Sequence, residues 1–336
     1  MSIEIRDCDR GSWDKFVASR SEANFLNSWQ WGELHEKFGD KVFYLGVYDG
    51  KLVGLVLAIV KDARRGRYIE VPGGPLIDFT NKSQVSEVFK SLRQLAAANN
   101  CVFVRIRPQV IDSESARGSL KKNGLTRSPM HLHAENTNIL DLSLDEETIL
   151  KNMRQQTRYE VRRADKLGIE VSVTSDINDL HKFHKVQLET ASRQGFVPPS
   201  QNFLDMQLEV FGSDLKIYQA SKDGKLLAMT LIVTYGGEAD YYEGASTLEG
   251  RNLPGAYAIQ WQAIRDAKAA GLTRYNFWGI APAGRKKHRY GGVTTFKRGF
   301  GGVDVRFVPA HDLVVNKPKY LLNWVVETAR KKVRGL

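Results

Sequence analysis

Cysteine is scarce in this chain, and a long apolar segment is missing. Of the 336 residues only Cys8 and Cys101 are cysteines, which leaves neither a disulfide framework nor a cysteine zinc motif. We therefore expect a reducing, cytoplasmic environment. The longest apolar run, residues 52–60, is interrupted by Gly54 and suits a β-strand rather than a membrane span. Residues 1–13 lack the apolar core of a signal peptide, which argues against secretion.

Acidic residues are missing from one further stretch. Residues 281–302 contain six Lys or Arg residues and no Asp or Glu. Residues 150–168 and 317–336 are also basic, so the net charge of +11 is gathered in patches rather than spread over the surface. Such patches attract polyanions, and RNA or an anionic membrane face are the two main candidates.

The segment 275–302 combines an apolar strand with these cations. Residues 275–280 indicate a buried strand, which leads into a glycine-rich basic loop and then into a second strand centred on Phe296. That second strand would hold the ammonium of Lys297 in place, and a fixed cation can stabilise an oxyanion. The alternative, that all six cations lie on a solvated loop, stays open.

Two parts of the chain repeat each other. Asp49-Gly50 joins two β-rich runs as a hairpin turn, and Asp223-Gly224 does the same in the second half. The helix-to-strand pattern of residues 92–106 recurs at 264–278 with nearly the same offset. We therefore predict a duplicated α/β (α+β) unit, each copy a mixed, mostly antiparallel sheet flanked by helices.

Two basic helices accompany these units. Residues 145–168 read as one helix that ends at Gly168 and carries Arg or Lys around most of its surface. Its cations either contact backbone phosphates or form an ordinary solvated face. Residues 319–334 read as a second amphipathic helix, which we expect to pack its apolar side onto the sheets.

Six short motifs, at residues 25–31, 72–78, 157–168, 242–246, 275–280 and 296–301, occur in an order that resembles the Fem-type aminoacyltransferases. That resemblance implies two tandem domains of the N-acetyltransferase (GNAT) fold, without the coiled-coil arm of some members. The expected domains are residues 1–144 plus 317–336, which hold the acceptor, and residues 145–316, which carry the catalytic lysine.

The resemblance also implies a reaction. An amino acid passes from aminoacyl-tRNA to an amine on the stem peptide of a peptidoglycan precursor, with Lys297 as the catalytic lysine and no cofactor. Glu243 is our candidate for the proton acceptor. The residues expected to bind substrate are Trp31, His35, Gly73, Gly74, Arg105, Arg107, Phe203, Tyr241, Tyr242 and Phe296.

This chain departs from the family pattern around the acceptor. His35, Pro199 and Phe203 replace a lysine, an arginine and a tyrosine that clamp the soluble sugar-nucleotide precursor in some members, and Arg107 stands where an acid is expected. A soluble and a lipid-linked precursor therefore both stay open as acceptors, and so does peripheral contact with the inner membrane face.

Further expectations concern the partners. The residues predicted to meet tRNA are Arg158, Arg162, Arg163, Arg285, Lys286, Lys287 and Arg289. The histidine pairs at 131/133 and 181/184 have no third ligand in the sequence pattern, so we predict no metal site. We expect a monomer.

Two other functions compete with this interpretation. A CoA-dependent acyltransferase needs backbone N–H groups for a pyrophosphate at a helix N-terminus, but residues 251–257 place Pro254, which has no N–H, at that point. A non-catalytic RNA-binding function would account for the basic patches, but it would not explain why a buried strand leads to Phe296 and Lys297.

Overall fold

A computed structural model of the chain describes residues 3–131, 133–284, 288 and 290–333. The chain divides into two compact units. The first consists mainly of residues 3–136 and 305–333, and the second of residues 137–284 and 290–304.

The first unit contains both strands and helices. Its elements are β1 (Glu4–Asp7), α1 (Arg10–Ala18), a 3-10 turn (Phe25–Asn27), α2 (Trp29–Lys37), β2 (Lys41–Asp49), β3 (Lys51–Lys61), β4 (Tyr68–Val71), α3 (Lys82–Ala98), β5 (Phe103–Ile106), α4 (Glu114–Lys122), β6 (Leu125–Arg127), and from the C-terminal part β14 (His311–Val314) and α11 (Lys317–Val333).

The first sheet has the strand order β1-β2-β3-β4-β5-β14-β6. Only β4 and β5 run parallel, from Ile69 opposite Val104 to Val71 opposite Ile106. The helix α3 forms the crossover between them and buries an apolar stripe against the sheet that includes Val85.

The second unit contains the remaining elements. They are β7 (Asn136–Asp141), α5 (Glu146–Asn152), α6 (Gln155–Lys166), β8 (Glu170–Thr174), α7 (Ile177–Gln194), α8 (Gln201–Phe211), a 3-10 turn (Gly212–Asp214), β9 (Leu215–Lys222), β10 (Lys225–Tyr235), β11 (Glu238–Ser246), a 3-10 turn (Glu249–Asn252), α9 (Gly255–Ala269), β12 (Arg274–Gly279), α10 (Gly291–Arg298) and β13 (Val303–Arg306).

The second sheet repeats the first. Its strand order, β8-β9-β10-β11-β12-β7-β13, again contains a parallel pair, β11 with β12, joined by the helix α9. The helix-to-strand segments α3–β5 and α9–β12 occupy equivalent places, as the internal repeat predicts. The duplicated α/β unit is therefore confirmed.

The Asp-Gly turns lie where the pattern predicts them. In the second unit Lys222 pairs with Lys225, and between them Asp223 and Gly224 have φ angles of 50° and 74°. Two positive φ angles are typical of the type I′ turn that matches the twist of a hairpin. In the first unit Gly50, at φ 68°, turns the chain between β2 and β3.

The predicted domain bounds differ from the observed units at two strands. Residues 137–144 were expected in the first domain, but β7 pairs with β12 of the second sheet. Residues 305–316 were expected in the second domain, but β14 pairs with β5 and β6 of the first sheet. Both shifts follow from backbone pairing, which local sequence patterns do not specify.

The single helix predicted for residues 145–168 is two helices. The first, α5, ends at Asn152, and Met153 is extended (φ −64°, ψ 146°). The N–H of Arg154 donates to the carbonyl of Gly299 instead of continuing the helix. Gly168 does end α6 in the left-handed conformation, with a φ of 65°.

The strand predicted around Phe296 is wrong, because residues 291–298 form the helix α10. Val293, Thr294 and Thr295 favour a strand by propensity. Tertiary packing prevails over that propensity, because Phe296 and Phe300, four residues apart, join the same aromatic cluster with ring centroids 5.3 Å apart.

The helix α11 is also packed differently from the prediction. We expected its apolar side to face the sheet, but Leu321 and Leu322 are 63% and 62% exposed, and Val325 is 52% exposed. The side that faces the first sheet is polar, and Asn323 lies at its buried centre.

None of the helices in the described part of the chain is long and apolar enough to cross a bilayer.

Candidate active site

The candidate site of the second unit lies where its parallel strands part. Pairing between β11 and β12 ends at Asp240 opposite Asn276. Beyond that point Trp278 adopts a left-handed φ of 57°, and its N–H donates to the Asn276 side chain at 2.9 Å. Clefts at the carboxyl ends of parallel strands are common ligand sites, and a non-glycine residue at positive φ is typical of functional segments.

Lys297 lies at this opening. Its side chain is buried, with the residue 7% exposed. The Nζ donates a hydrogen bond of 2.9 Å to the carbonyl of Gly279 and lies 5.0 Å from the centroid of the Tyr241 ring. Burial lowers the pKa of the Lys297 ammonium to about 7. The lysine is therefore fixed, and its charge titrates near neutral pH.

An aromatic cluster holds the helix that carries this lysine. The Phe296 ring lies 4.9 Å from that of Tyr257, and the Phe300 ring stacks 5.1 Å from that of Phe277. Directly after α10, a Cβ on Gly299 would lie 2.2 Å from Thr157 Oγ1, so glycine is required there. Phe296 thus anchors α10, and its expected contact with substrate stays a prediction.

A β-bulge lies in β11 at residues 241–243. Tyr241 pairs with Ile232 and Glu243 pairs with Leu231, so Tyr242 is the extra residue. Successive residues of β10 point to opposite faces and paired residues share a face, so Tyr241 and Glu243 lie on opposite faces of the sheet. In a regular strand, residues two positions apart share a face, so Tyr241 and Glu243 would lie on the same face. The bulge places them on opposite faces.

Glu243 faces the helix α7. The side-chain amide of Gln187 donates a hydrogen bond to its carboxylate. Burial raises the pKa of the Glu243 carboxyl to about 7. Burial, with the Glu243 charge as the lesser cause, raises the pKa of Tyr241 to about 12. Tyr241 therefore stays protonated at neutral pH while Glu243 is about half ionised.

The other predicted residues of this unit are Tyr242, on β11, and Phe203, on α8. The Tyr242 and Trp278 rings approach edge to face, with centroids 6.5 Å apart. Phe203 lies in the first turn of α8, where its N–H donates to the Ser200 side chain. A role in binding substrate stays a prediction for Phe203 and Tyr242.

The corresponding opening of the first unit follows β4 and β5. Gly73, at a φ of 62°, packs on the 3-10 turn of residues 25–27, and a Cβ there would lie 3.1 Å from Asn27 Nδ2. Gly74 also packs near this amide, with the corresponding approach at 3.7 Å. The glycine loop is thus held by close packing.

Trp31 and His35 lie on α2 in the interior of this unit. The Trp31 ring contacts those of His35 and His133 edge to face, with centroids 5.2 Å and 6.3 Å apart. His35 Nδ1 donates to the Asp40 carboxylate at 2.8 Å, and Lys61 pairs with the same carboxylate. The imidazole of His35 is therefore engaged within the protein.

Arg105 forms a buried ion cluster. It donates to both oxygens of Asp312, at 2.7 Å and 2.8 Å, and to Glu327 of α11 at 2.8 Å. Burial alone would lower the pKa of Arg105, but these two carboxylates raise it above its usual value. The guanidinium ties β5, β14 and α11 together. Its expected contact with an acceptor stays a prediction.

Arg107 lies two residues after Arg105, directly after the end of β5. Its guanidinium lies 5.5 Å from the centroid of the Phe307 ring and hydrogen-bonds Gln109. With Glu70 and His133 it lines a small cavity. Burial would raise the pKa of the Glu70 carboxyl, but the hydrogen bond and charge of His133, at 2.8 Å, lower it below its usual value.

The arginines predicted to meet tRNA differ in what they contact. Arg158 donates to the carbonyls of Leu150, Lys151 and Met153, and so caps the end of α5. Arg163 pairs with Glu160 at 3.0 Å, and Arg162 is exposed. The remaining four, Arg285, Lys286, Lys287 and Arg289, lie outside the described residues.

Sequence patterns do not indicate three contributors to the site. The Gly279 carbonyl, which accepts from Lys297, belongs to the backbone, so no residue type marks it in the sequence. The left-handed φ of Trp278 is not predicted by the propensity of tryptophan. Gln187, the partner of Glu243, lies far away in sequence, and only the α7-to-β11 packing brings it there.

A model of the FemAB family matches residues 9–126, 124–225 and 216–328. The chain belongs to the FemAB family. One relative is the UDP-N-acetylmuramoylpentapeptide-lysine N(6)-alanyltransferase of Weissella viridescens. It is 22% identical to this chain over 281 residues, which are 80% of this chain and 83% of that protein.

The FemAB fold agrees with solved structures. A crystal structure of FemX superimposes with a TM-score of 0.85 at 18% identity, over 95% of this chain and 99% of that one. A tandem GNAT protein from the clavulanic acid biosynthesis pathway gives a TM-score of 0.56 at 13% identity, over 94% and 99% of the two chains. The expected fold, two tandem GNAT-like units, is confirmed.

Proposed function

We propose that this FemAB protein is an aminoacyltransferase that joins an amino acid from aminoacyl-tRNA to the stem-peptide amine of a peptidoglycan precursor. The observation that carries the proposal is the buried Lys297 at the opening between β11 and β12, held by the Gly279 carbonyl and beside the Tyr241 ring. The Weissella relative, named for transferring alanine to a lysine N6 amine, supports the acceptor class.

The proposed reaction is an acyl transfer. The neutral amine of the acceptor attacks the ester carbonyl of aminoacyl-tRNA, and the carbonyl oxygen gains negative charge in the tetrahedral intermediate. Collapse breaks the ester C–O bond and forms the amide. The ribose hydroxyl leaves with a proton, and the attacking nitrogen loses one. The protein must therefore stabilise the oxyanion and pass a proton.

Lys297 suits the first task. In its protonated form the ammonium is a fixed and buried donor, and a buried cation stabilises an oxyanion more strongly than one in solution. The Gly279 carbonyl orients it before the reaction, so little reorganisation is needed. The neighbouring Tyr241 ring also favours the cationic form, because the face of an aromatic ring attracts cations.

Glu243 is our candidate for the second task. A carboxyl with a pKa of about 7 is matched to accepting a proton at neutral pH. Since Glu243 and Tyr241 lie on opposite faces of the sheet, the proton would reach it through the opening between the strands or through a relay group.

The first unit is proposed to hold the acceptor peptide. Gly73 follows β4 and Arg107 follows β5, the parallel pair equivalent to β11 and β12 of the second unit. Trp31 contacts the ring of His133, which hydrogen-bonds Glu70 of β4. Arg107 adds a positive charge that suits a phosphate or carboxylate of the precursor. The acceptor, soluble or lipid-linked, is part of this proposal.

A CoA-dependent acyltransferase is the weaker alternative. Pro254 caps α9 and has no N–H to offer a pyrophosphate. The nearby Gly255 packs on the Leu227 side chain of β10, where a Cβ would lie 2.9 Å from Leu227 Cβ. Its close approach thus serves packing rather than a ligand.

The decisive experiment follows a radiolabelled amino acid from charged tRNA to a precursor peptide. We expect label in the precursor only when charged tRNA is supplied. Acetyl-CoA with the same peptide serves as the rival donor, and acyl transfer from it alone would contradict the proposal.

A further inference from the structure

The C-terminal helix α11 turns polar residues inward. Tyr320, Asn323 and Glu327 follow one another at helical spacing on the side that meets the first sheet. The Tyr320 hydroxyl donates to Asp312 at 2.9 Å, and Arg65 donates to Asn323 at 2.6 Å. Glu327 accepts from Arg105 at 2.8 Å. The buried cation Arg105 requires carboxylates, which explains why this side is polar.

The apolar residues of α11 point away from that sheet. Leu321, Leu322, Trp324 and Val325 are 63%, 62%, 41% and 52% exposed. Leu322, Val325 and Ala329 recur at the i, i+3, i+7 spacing of one helix face. Water-exposed apolar stripes cost free energy and mark interaction surfaces.

The charge of this surface is strongly positive. Lys317, Lys319, Arg330 and Lys332 are exposed along the same helix. Its single acid, Glu327, is turned inward against Arg105. The exposed part of α11 thus offers apolar groups and cations without an acid.

We propose that α11 lies in the interface of an anionic lipid bilayer, with its leucine and valine side chains among the acyl chains. Amphipathic helices that combine Leu and Trp with Lys and Arg bind in this way, and their long basic side chains reach the headgroups. Trp324, at the edge of the stripe, suits the headgroup boundary. The helix would lie along the surface rather than cross it.

Charge complementarity selects the bilayer as the occupant. A second copy of the chain would bring an identical basic helix against this one, and its like charges would repel. Anionic lipid headgroups instead attract every exposed cation of the helix. The inference goes beyond the proposed function, since it concerns where the enzyme docks and not which bond it forms.

The test is sedimentation of the full chain with vesicles of phosphatidylglycerol and phosphatidylcholine, compared with pure phosphatidylcholine. We expect binding to the anionic vesicles that weakens as salt rises. The double variant Leu321→Gln with Val325→Gln should bind about tenfold more weakly, because the buried apolar area is lost. Lys319→Glu with Arg330→Glu should lose binding to a similar extent.

Matched controls separate this helix from general surface effects. Val197→Gln with Val303→Gln changes two other exposed valines, at 90% and 71% exposure. Lys121→Glu with Lys122→Glu reverses two exposed charges on α4. Both controls should bind as the unaltered chain does. Since every substituted side chain is exposed, circular dichroism should show the same fold in all variants.

Fluorescence places the helix in the lipid. Vesicles with brominated acyl chains should quench the emission of the unaltered chain, and Trp324→Phe should remove most of that quenching. Equal quenching in Trp324→Phe, or equal vesicle binding in the Leu321/Val325 variant, overturns the proposal. So does a dimer that the Leu321/Val325 substitutions dissociate, because a second copy would then cover the stripe.

The outcome is independent of the proposed reaction. Transfer to a soluble precursor should proceed unchanged in the Leu321/Val325 variant, since these residues lie outside the two strand openings. Vesicle binding without any transfer would leave the docking surface standing and contradict the reaction.

Discussion

The Nζ of Lys297 donates to the carbonyl of Gly279 at 2.9 Å, and this bond fixes the one ammonium that lies at the opening between β11 and β12 among the described residues. The bond connects a helix to the end of a strand whose backbone is turned by the left-handed Trp278. A cation held in this way at the end of a sheet is ready to meet a developing oxyanion without rearrangement.

Replacement of Lys297 by Met should abolish most transfer. Loss of one oxyanion donor typically lowers the rate by about 10²- to 10³-fold, while binding of tRNA and precursor should persist. Single-turnover transfer of labelled amino acid measures the effect. Lys225→Met, an exposed lysine of β10, is the control and should retain full activity. Normal turnover in Lys297→Met would remove the lysine from the mechanism.

Turnover should depend on pH in a bell shape with its maximum near pH 7. Below that value the Glu243 carboxyl is protonated, and above it the Lys297 ammonium loses its proton, since the pKa of each is about 7. The measurement is kcat at saturating substrates across pH 5.5 to 8.5, roughly 1.5 units on each side of those two pKa values.

Glu243→Gln should remove only the acidic limb of that profile. The neutral amide cannot titrate, so activity should be low but level below pH 7, and should still fall above it. An acidic limb that persists unchanged in Glu243→Gln would exclude this carboxyl as the proton acceptor.

The free energy of unfolding should depend on pH because the pKa of the buried Lys297 is lowered. The folded pKa of Lys297 is about 7, below the unfolded value of about 10.4, so the unfolded chain binds an extra proton between these values. The free energy of unfolding therefore gains from this group as the pH rises from 7 to 10. In Lys297→Met that gain should disappear, and the variant should be more stable at pH 7, which thermal unfolding at several pH values can measure.

Sequence patterns predicted most of the fold. Both Asp-Gly hairpins form because their turn chemistry is local, and the repeat of α3–β5 as α9–β12 follows from apolar periodicity. The helix α10 was missed because Val293, Thr294 and Thr295 favour a strand, and because Phe300, whose ring packs against that of Phe296, lies beyond the end of the helix.

The site was less predictable than the fold. Lys297 could be selected from its neighbours in sequence, but the bulge at Tyr242, which turns Glu243 to the other face, depends on pairing with β10. Periodicity also identified α11 as amphipathic without telling which side is buried. Its orientation is decided by the buried Arg105, a residue more than two hundred positions earlier in the chain.

The ion cluster of Arg105 should be important for stability. Arg105→Met leaves the fully buried Asp312 without its main partner, and breaking a buried pair costs about 3–5 kcal/mol. Urea unfolding of the full chain measures the loss. Arg67→Met, which breaks the exposed pair with Asp62, is the matched control and should change little. Equal stability of the two variants would contradict the role of the cluster.

Arg162 and Arg158 should behave differently toward tRNA. Arg162 is exposed on α6, so Arg162→Gln should weaken tRNA binding. The slope of the logarithm of the binding constant against the logarithm of salt concentration should become less steep by about 1. Arg158→Gln should mainly lower the thermal midpoint, because its guanidinium caps three carbonyls at the end of α5. Filter binding at several salt concentrations measures the first effect. Lys121→Gln, on α4, is the control, and an unchanged salt slope in Arg162→Gln would exclude this part of α6 as a tRNA contact.

The strand β14 lies between β5 and β6, and these two neighbours do not pair with each other. During synthesis the ribosome makes β5 and β6 long before residues 311–314 emerge. The second unit has all its strands by residue 306, so it can complete its sheet while the first sheet still lacks the strand that joins its edge strand β6 to β5. The half of the protein that is made first is therefore the half that finishes folding last.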